Sequence, residues 1–357
     1  MNILNLIKEY SVDDKRKANI AIQDGGETTY YNITEKIDND LTRKYAAKIS
    51  NDWSSYGIYD ITDYYTHQHV IIDINGIIPL TEYLNRHNIT NDSLKFIHTG
   101  ATKRKFLDSK YEVFNEKLID EIVNIIAKLC RDLDIVTNST YQPCYILKQE
   151  NCYITTKHRV DTIVDNIKIH LPKLVLDGIH RYIFLAQFMN YVHNDGLFKK
   201  IFPDLTVYGV NDKIDECVYV SNIVNYKIGS VQWYGGTFNR IRHSKLYCRS
   251  ISKSSVNKSN QPKVKLLVSE LRIRGKKVTS KIQSLTRLYN LYNIKQNDRN
   301  PYMTKLINYI NQHHARINRD NKKNAELNEL IEARRAIVYS DSKFDPRIFT
   351  LDDNYNK

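Results

Sequence analysis

The sequence predicts an α+β protein in which a central α/β domain follows a mixed N-terminal region and precedes a basic, mostly helical C-terminal region. Between residues 145 and 235, segments with strand-like and helix-like periodicity alternate, which is typical of domains that pack helices on a sheet. Further along the chain, lysine and arginine are concentrated where apolar residues recur at helical spacing. Polar breaks predict four segments: residues 1–140, residues 141–250, a polar linker at 251–263, and residues 264–357.

In the N-terminal region, the stretch 67–114 predicts a strand, a turn at Asn75-Gly76, two short helices and a basic extended pair. This order of elements is compatible with a winged-helix module. The stretch 115–132 then predicts an amphipathic helix that packs against a core or connects two domains. Its apolar residues fall on one helical face: Leu118, Ile122, Ile125, Ile126 and Leu129.

The central region contains the stretch PKLVLDGIHRYIFLAQF, residues 172–188. An apolar run, a tight Asp177-Gly178 and a segment of helical periodicity predict a strand, a turn and a helix. Gly178 permits a positive φ or a close backbone approach at such a turn. Just before it, the segment 159–168 is interpreted as a further helix.

The polar residues of this turn are candidates for phosphate binding. A helix that starts beyond Gly178 presents unpaired N–H groups to an anion, and His180 and Arg181 would add side-chain donors to the same pocket. Asp177 could orient one of these side chains, hold a metal or act as a base. The alternative is that Asp177 caps the helix and pairs with Arg181 at the surface.

The turn at residues 177–181 and the segments on either side of it resemble a known superfamily. The stretch LVLDGIHRYIFLAQF resembles the D-G-Q-H-R form of the ParB/sulfiredoxin signature, matched at Asp177, Gly178, His180 and Arg181, with Ile179 in place of the glutamine. The resemblance covers about 70 to 90 residues. The second nucleotide motif of the ParB-like proteins, E-N-x-x-R, has no clear counterpart, and the catalytic cysteine of sulfiredoxin falls on Ile179. Reductase chemistry is therefore disfavoured.

The resemblance implies a pocket in which Gly178, His180 and Arg181 bind a nucleotide or a backbone phosphate. It also implies a nucleoside triphosphate with Mg²⁺ as the cofactor, and Asp177, His180 and Arg181 as catalytic candidates for a ParB-type nucleotide hydrolysis or nuclease activity. Because the second motif is missing, binding without turnover is favoured. The processes that the resemblance implies are DNA partition, replication or regulation.

The charge distribution favours nucleic acid as the partner. The chain has a net charge of +13 from 53 Lys/Arg and 40 Asp/Glu, and residues 240–335 alone hold 23 and 6 of these, which nets +17. The remaining residues hold 30 and 34 and net −4. Such a block is typical of a protein that binds the phosphate backbone, although a solvated basic face or an acidic protein partner is the alternative. The candidate contacts are Arg240, Arg242, Lys245, Arg272, Arg274, Lys276, Lys277, Lys281 and Arg287.

Within this block, Gly275 separates two segments of helical periodicity and predicts a helix-turn-helix. The competing interpretation is a β-strand over 269–274, since Leu271 and Ile273 alternate there with arginines. Trp233 could stack on a base, although an aromatic residue beside a Gly-Gly turn is more often part of a core.

A rival hypothesis starts from His67 and His69. On a strand, these two imidazoles would share one face and could hold a divalent metal. The pair resembles the metal motif of rolling-circle replication initiators, which implies a nicking nuclease with a tyrosine nucleophile. The chain has 26 tyrosines, so Y-x-x-K tetrads arise by chance and select none of them. A non-enzymatic DNA-binding regulator is the third hypothesis.

Cysteine usage and hydropathy exclude other classes. The five cysteines are scattered, with no C-x-x-C pair, so we expect neither structural disulfides nor a cysteine-built zinc site. No stretch approaches the roughly 20 apolar residues of a membrane span, and the first residues do not read as a secretory signal. We therefore expect an intracellular protein whose partner is nucleic acid, DNA in preference to RNA, and not a membrane. A homodimer is an option that the sequence leaves open.

Overall fold

The computed structural model describes residues 3–24, 27–49, 57–61, 68–99, 105–133, 135–136, 140–157, 159–176, 178–202, 223–225, 230–238 and 241–273. The helices are α1 (Ile3–Ile7), α2 (Glu35–Ile49), α3 (Leu80–His87), α4 (Glu116–Asp132), α5 (Gly178–Asp195), α6 (Leu197–Ile201) and α7 (Val264–Leu271). The strands up to residue 107 are β1 (Ile20–Asp24), β2 (Glu27–Tyr31), β3 (Gly57–Ile61), β4 (Gln68–Pro79), β5 (Phe96–Thr99) and β6 (Lys105–Leu107). The later strands are β7 (Gln142–Lys148), β8 (Tyr153–Lys157), β9 (Val160–Leu176), β10 (Val224–Asn225), β11 (Ser230–Gln232), β12 (Thr237–Phe238), β13 (Ile241–Arg242), β14 (Lys245–Ile251) and β15 (Val256–Lys258). The α+β class is confirmed.

Two antiparallel sheets organise the described residues. The smaller sheet has the strand order β11-β3-β1-β2, and helix α2 packs on its apolar face. The larger sheet has the order β15-β14-β7-β9-β8-β6-β5, with β4 on the other edge of β9 and β10 beside β4. Helices α4 and α5 contribute to the main core on one face of the larger sheet. Since β4 pairs with β9 along its whole length, strands from both sides of the boundary predicted at residue 140 share one sheet.

The helix predicted at 159–168 is wrong, because Val160–Leu176 is one long strand, β9. Asn166, Lys168 and His170 alternate with buried isoleucines, and a period of two directs the polar and apolar side chains to opposite faces of a sheet. Strand β9 ends at Leu176 and helix α5 begins at Gly178, as the strand-to-helix prediction requires.

The turn predicted at Asn75-Gly76 is also wrong, since β4 continues through both residues. Gly76 is directly opposite Asp165 of β9. A Cβ atom at Gly76 would lie 2.3 Å from the backbone oxygen of Asp165 and 2.5 Å from Cε2 of Phe114. Gly76 therefore allows β4 to pass close to both β9 and the ring of Phe114. Close approach of this kind is a common reason for a glycine inside a strand.

The amphipathic helix predicted at 115–132 is confirmed as α4. The Asn115 side chain caps it by accepting a hydrogen bond from the backbone N–H of Leu118 at 2.9 Å. Four of the predicted apolar positions are buried: Ile122, Ile125, Ile126 and Leu129.

The end of the described chain differs in part from its prediction. Within the segment predicted as a polar linker, 251–263, strand β15 forms a hairpin with β14. Helix α7 includes Ser269 and Leu271, so the competing strand interpretation is wrong for these residues. The second helix of the predicted helix-turn-helix lies outside the described residues. In the part of the chain that the structure describes, no helix is long and apolar enough to cross a membrane.

Candidate ligand-binding cleft

A cleft of about 400 Å³, lined by both polar and apolar groups, lies between the two sheets. One wall consists of β4 and β9, and the other consists mainly of strands of the smaller sheet. Lys15, Ile241 and His243 also line the cleft. The volume falls within the range of small-molecule sites, roughly 300 to 1,000 Å³. Among the described residues that line it, two lysines, Lys15 and Lys168, and one acid, Asp73, are charged types.

The register of β4 and β9 determines which side chains form their wall of the cleft. Asp73 is paired with Lys168, and Asn75 is paired with Asn166. All four side chains lie on the same face of the sheet, because residues two apart on a strand share a face. Ile74 and Ile167, which lie between these polar residues, face the main core instead. The polar side chains must therefore face the smaller sheet.

The opposite wall is aromatic and amide-rich. It includes Tyr30 of β2, Tyr59 of β3 and Gln232 of β11. The ammonium group of Lys15 lies 6.0 Å from the centroid of the Tyr30 ring, so a cation and an aromatic face are presented together. Burial raises the pKa of Tyr59, and its phenol is therefore neutral at pH 7.

Several polar atoms of the lining are shielded from solvent and have no hydrogen-bond partner among the described residues: Asn166 Oδ1, Gln232 Nε2 and His243 Nε2. Leaving such an atom unsatisfied costs roughly 1–3 kcal/mol, so native proteins rarely retain one without a reason. Here a hydrogen-bond acceptor, a donor and an imidazole nitrogen line the same cleft. That combination suits a ligand with both donors and acceptors.

His243 gives the cleft a pH-dependent component. Burial, and after it the nearby Lys168 and His170, holds the pKa of His243 well below its ordinary value of 6.5. The folded state therefore favours the neutral ring, whereas the unfolded chain takes up a proton as the pH falls below about 6.5.

The free energy of unfolding is accordingly expected to decrease as the pH is lowered from about 7.5 to 5, by at most about 1.4 kcal/mol per pH unit from this residue. In His243→Gln, whose side chain does not titrate, the slope should be smaller. Urea denaturation at several pH values measures the difference between the two slopes. Equal slopes in the two proteins would contradict the lowered pKa of His243.

The predicted phosphate-binding turn is only partly described. Gly178 begins α5, Asp177 lies outside the described residues, and so does the side chain of His180. Arg181 is buried, and its guanidinium group contacts the side-chain amide of Gln68. With the amide oxygen facing the arginine, the distances are 2.5 Å to Nη2 and 2.8 Å to Nη1. In this arrangement Arg181 is directed at the protein interior.

The histidine pair of the rival hypothesis is not brought together by the described residues. His67 lies outside them, and His69 is fully buried on β4. His69 instead forms a hydrogen bond with His170 of β9, with 2.8 Å between Nε2 of His69 and Nδ1 of His170. Across the ranges that the structure describes, no group of three or more His, Cys, Asp or Glu residues could hold a metal ion.

Of the predicted nucleic-acid contacts, Arg272 is buried and forms ion pairs with Asp38 and Asp60. Lys245 is partly exposed and donates to the backbone oxygen of Ser109 at 3.0 Å. Arg242 lies on β13, with its side chain outside the described part. Trp233 is buried in the core of the smaller sheet. Outside the described residues lie Arg240, Arg274, Lys276, Lys277, Lys281 and Arg287.

The cleft residues were missed by the sequence interpretation, although two stretches carry their signal. In VIIDIN, 70–75, and DNIKIHL, 165–171, polar residues alternate with branched apolar ones. Two such strands side by side place their polar residues on one shared face. No protein-family model matches the chain, and no curated protein matches it significantly.

Proposed function

We propose that the protein is a nucleotide-binding protein that associates with nucleic acid, and that the cleft between the two sheets is where the phosphates bind. The observation that carries the proposal is that two lysines, Lys15 and Lys168, line the same cleft as several buried hydrogen-bonding groups. Lysine is a common phosphate ligand because its ammonium is a compact charge with three donors. The amide groups of Asn166 and Gln232 offer an acceptor and a donor to a base edge, and Tyr30 offers a stacking surface.

A magnesium ion fits the same cleft. Mg²⁺ takes oxygen ligands and is commonly held by one or two carboxylates together with substrate phosphates. Asp73 and Asn75 supply a carboxylate and an amide oxygen on the same face of β4, opposite the lysine of β9. These residues would hold the ion, which would neutralise phosphate charge. Lys168 and Lys15 would bind the remaining phosphate oxygens.

The basic block of residues 240–335 supports nucleic acid as the macromolecular partner. Its local charge of +17 favours DNA association through the phosphate backbone, with affinity that falls as the salt concentration rises. The D-G-x-H-R turn at Asp177–Arg181 stays a second proposed phosphate contact. The cleft is preferred as the nucleotide pocket because Arg181 faces Gln68. The proposed process is DNA partition, DNA replication or the regulation of DNA.

Isothermal titration calorimetry of the full chain with the four ribonucleoside triphosphates and with inorganic triphosphate, with and without Mg²⁺, tests this function. Nucleoside triphosphates are expected to bind more tightly than inorganic triphosphate, because the base adds contacts. Mg²⁺ should strengthen binding in the wild-type chain and have little effect in Asp73→Asn, which keeps the shape but loses the charge. Phosphate release in the same samples reports whether binding is accompanied by hydrolysis.

Asp161→Asn is the matched control, since this exposed acid lies on β9 outside the described cleft lining. It should retain the magnesium response. Absence of any binding by the wild-type chain would end the proposal, and a magnesium response preserved in Asp73→Asn would remove Asp73 as the ligand.

A further inference from the structure

The chain that follows helix α7 is anchored to the smaller sheet through Asp60 of β3. Arg272 donates from Nη2 to Asp60 Oδ1 at 2.7 Å and from Nε to Oδ2 at 3.3 Å. The backbone N–H of Ile273 donates to the same Oδ2 at 3.1 Å. Asp38 of α2 accepts two further bonds from the guanidinium group, at 2.8 and 3.1 Å. The arginine therefore ties a helix and a strand of the N-terminal region to residues more than 200 positions later.

Trp233 completes this anchor. Its indole N–H donates to Asp60 Oδ1 at 3.0 Å, and the guanidinium carbon of Arg272 lies 4.0 Å from the centroid of its ring. The ring of Tyr45 packs edge to face against the Trp233 ring, with 5.2 Å between the two centroids, and both residues belong to the core of the smaller sheet. A charged group in such surroundings is strongly oriented, since its hydrogen bonds have no water to replace them.

The anchor lies directly behind one wall of the cleft. On β3, Tyr59 and Ile61 line the cleft, so the intervening Asp60 points to the other face. On β11, Gln232 lines the cleft and is followed at once by Trp233. The anchor therefore holds both strands from which this wall is built.

Ile273 extends the anchor to the other wall. Its fully buried side chain packs with Val231 of β11 and Ile71 of β4. Ile71 precedes Asp73 by two residues and lies on the same face of β4. One short segment, Arg272 and Ile273, thus contacts the smaller sheet through its polar groups and spans both cleft walls through one apolar side chain.

We propose that Arg272 is a positioning residue for ligand binding, because its bonds to Asp60 and Asp38 set the spacing of the two cleft walls. The inference rests on the proposed function, since it concerns affinity at that same cleft. Loss of the guanidinium group leaves Asp60 without its main partner and frees Ile273 from the gap between β11 and β4. A displacement of about 1 Å can lower the activity of a site by a factor of about 100, because its contacts depend on exact positions. We expect ligand affinity at the cleft to depend on position in the same way.

The test compares Arg272→Met with Arg249→Met. Arg249 is the matched control because it is also buried and also binds two acids, Asp120 at 2.6 Å and Glu116 at 2.8 Å, but lies on β14 away from the described cleft lining. Both variants are expected to lower the melting temperature. Only Arg272→Met should raise the dissociation constant for the nucleoside triphosphate, by about tenfold or more, measured well below both melting temperatures.

Trp233 supplies a second measurement. In a Trp53→Phe background it is the only tryptophan, and its emission should change when the nucleotide binds to the Arg272 protein. That response should be lost in Arg272→Met and restored in part in Arg272→Lys, which keeps the charge without the planar fork. Asp38→Asn replaces Arg272→Met if the latter does not fold, with a smaller loss of affinity expected.

The outcomes separate the two proposals. If the wild-type chain binds no nucleotide, the proposed function fails. If the wild-type chain binds, and Arg272→Met binds equally well or both arginine variants lose affinity to the same extent, the positioning role of Arg272 is wrong while the cleft stands.

Discussion

Replacing Lys168 by methionine is expected to weaken the binding of nucleoside triphosphates at least tenfold. A hydrogen bond to a charged group contributes about 1.5–3 kcal/mol, which corresponds to a factor of roughly 10 to 150 in affinity. Methionine preserves most of the length and apolar volume of the lysine stem, so β9 should keep its pairing with β4. Removing the cation also removes one cause of the depressed pKa of His243, and that pKa should rise toward its ordinary value.

Lys173→Met provides the control for this experiment. Lys173 lies on the same strand but is exposed and outside the described cleft lining, so its loss should leave nucleotide affinity unchanged. Calorimetric titration measures affinity, and NMR titration of the imidazole resonances measures the pKa of His243. Undiminished affinity in Lys168→Met would place the phosphates elsewhere, with the turn at residues 177–181 as the next site to test.

Gly76→Ala is expected to lower the free energy of unfolding by about 3 kcal/mol or more. The added Cβ would meet the backbone oxygen of Asp165 at 2.3 Å and the ring of Phe114 at 2.5 Å, and a backbone atom in a paired strand cannot move aside as a flexible side chain can. Forced overpacking usually costs about 1–3 kcal/mol and sometimes more. Urea denaturation followed by circular dichroism measures the loss.

Gly196→Ala separates this steric effect from the general cost of replacing a glycine. Gly196 has a φ of 69°, but a Cβ atom added at this position would have no neighbouring atom within 4 Å, so only backbone strain of roughly 1–2 kcal/mol is expected. A loss at Gly76 no greater than that at Gly196 would show that β4 and β9 can separate without penalty. Because Asn75 and Asn166 are the adjacent pair, Gly76→Ala should also weaken nucleotide binding in any protein that still folds.

Local signals in the sequence predicted the elements that depend on local interactions. The apolar stripe of α4 is contained within one short segment, and the predicted amphipathic helix was confirmed. The strand that ends at Leu176 and the helix that begins at Gly178 were also predicted from neighbouring residues. In each case a short stretch contains both the pattern and its physical cause.

Tertiary contacts account for what the sequence interpretation missed. Asn75-Gly76 has the composition of a turn, yet the glycine is required by Phe114, nearly 40 residues away. The sequence analysis includes Arg272 among the candidate nucleic-acid contacts, because nothing near it in the chain indicates Asp38 and Asp60 as partners. The cleft joins Lys15 to His243, and only the alternation of polar and apolar residues on β4 and β9 points to it from the sequence.

The anchor at Asp60 also has a consequence for biosynthesis. Asp60 and its arginine partner are 212 residues apart, so a ribosome that adds about 5–20 residues per second delivers Arg272 roughly 10 to 40 s after Asp60. Strand β11, which pairs with β3, arrives almost as late. During that interval the emerging strands β1 to β3 lack their edge partner, and the carboxylate of Asp60 has to stay solvated. The smaller sheet can therefore reach its final form only after Arg272 has been synthesised, although most of its strands are made first.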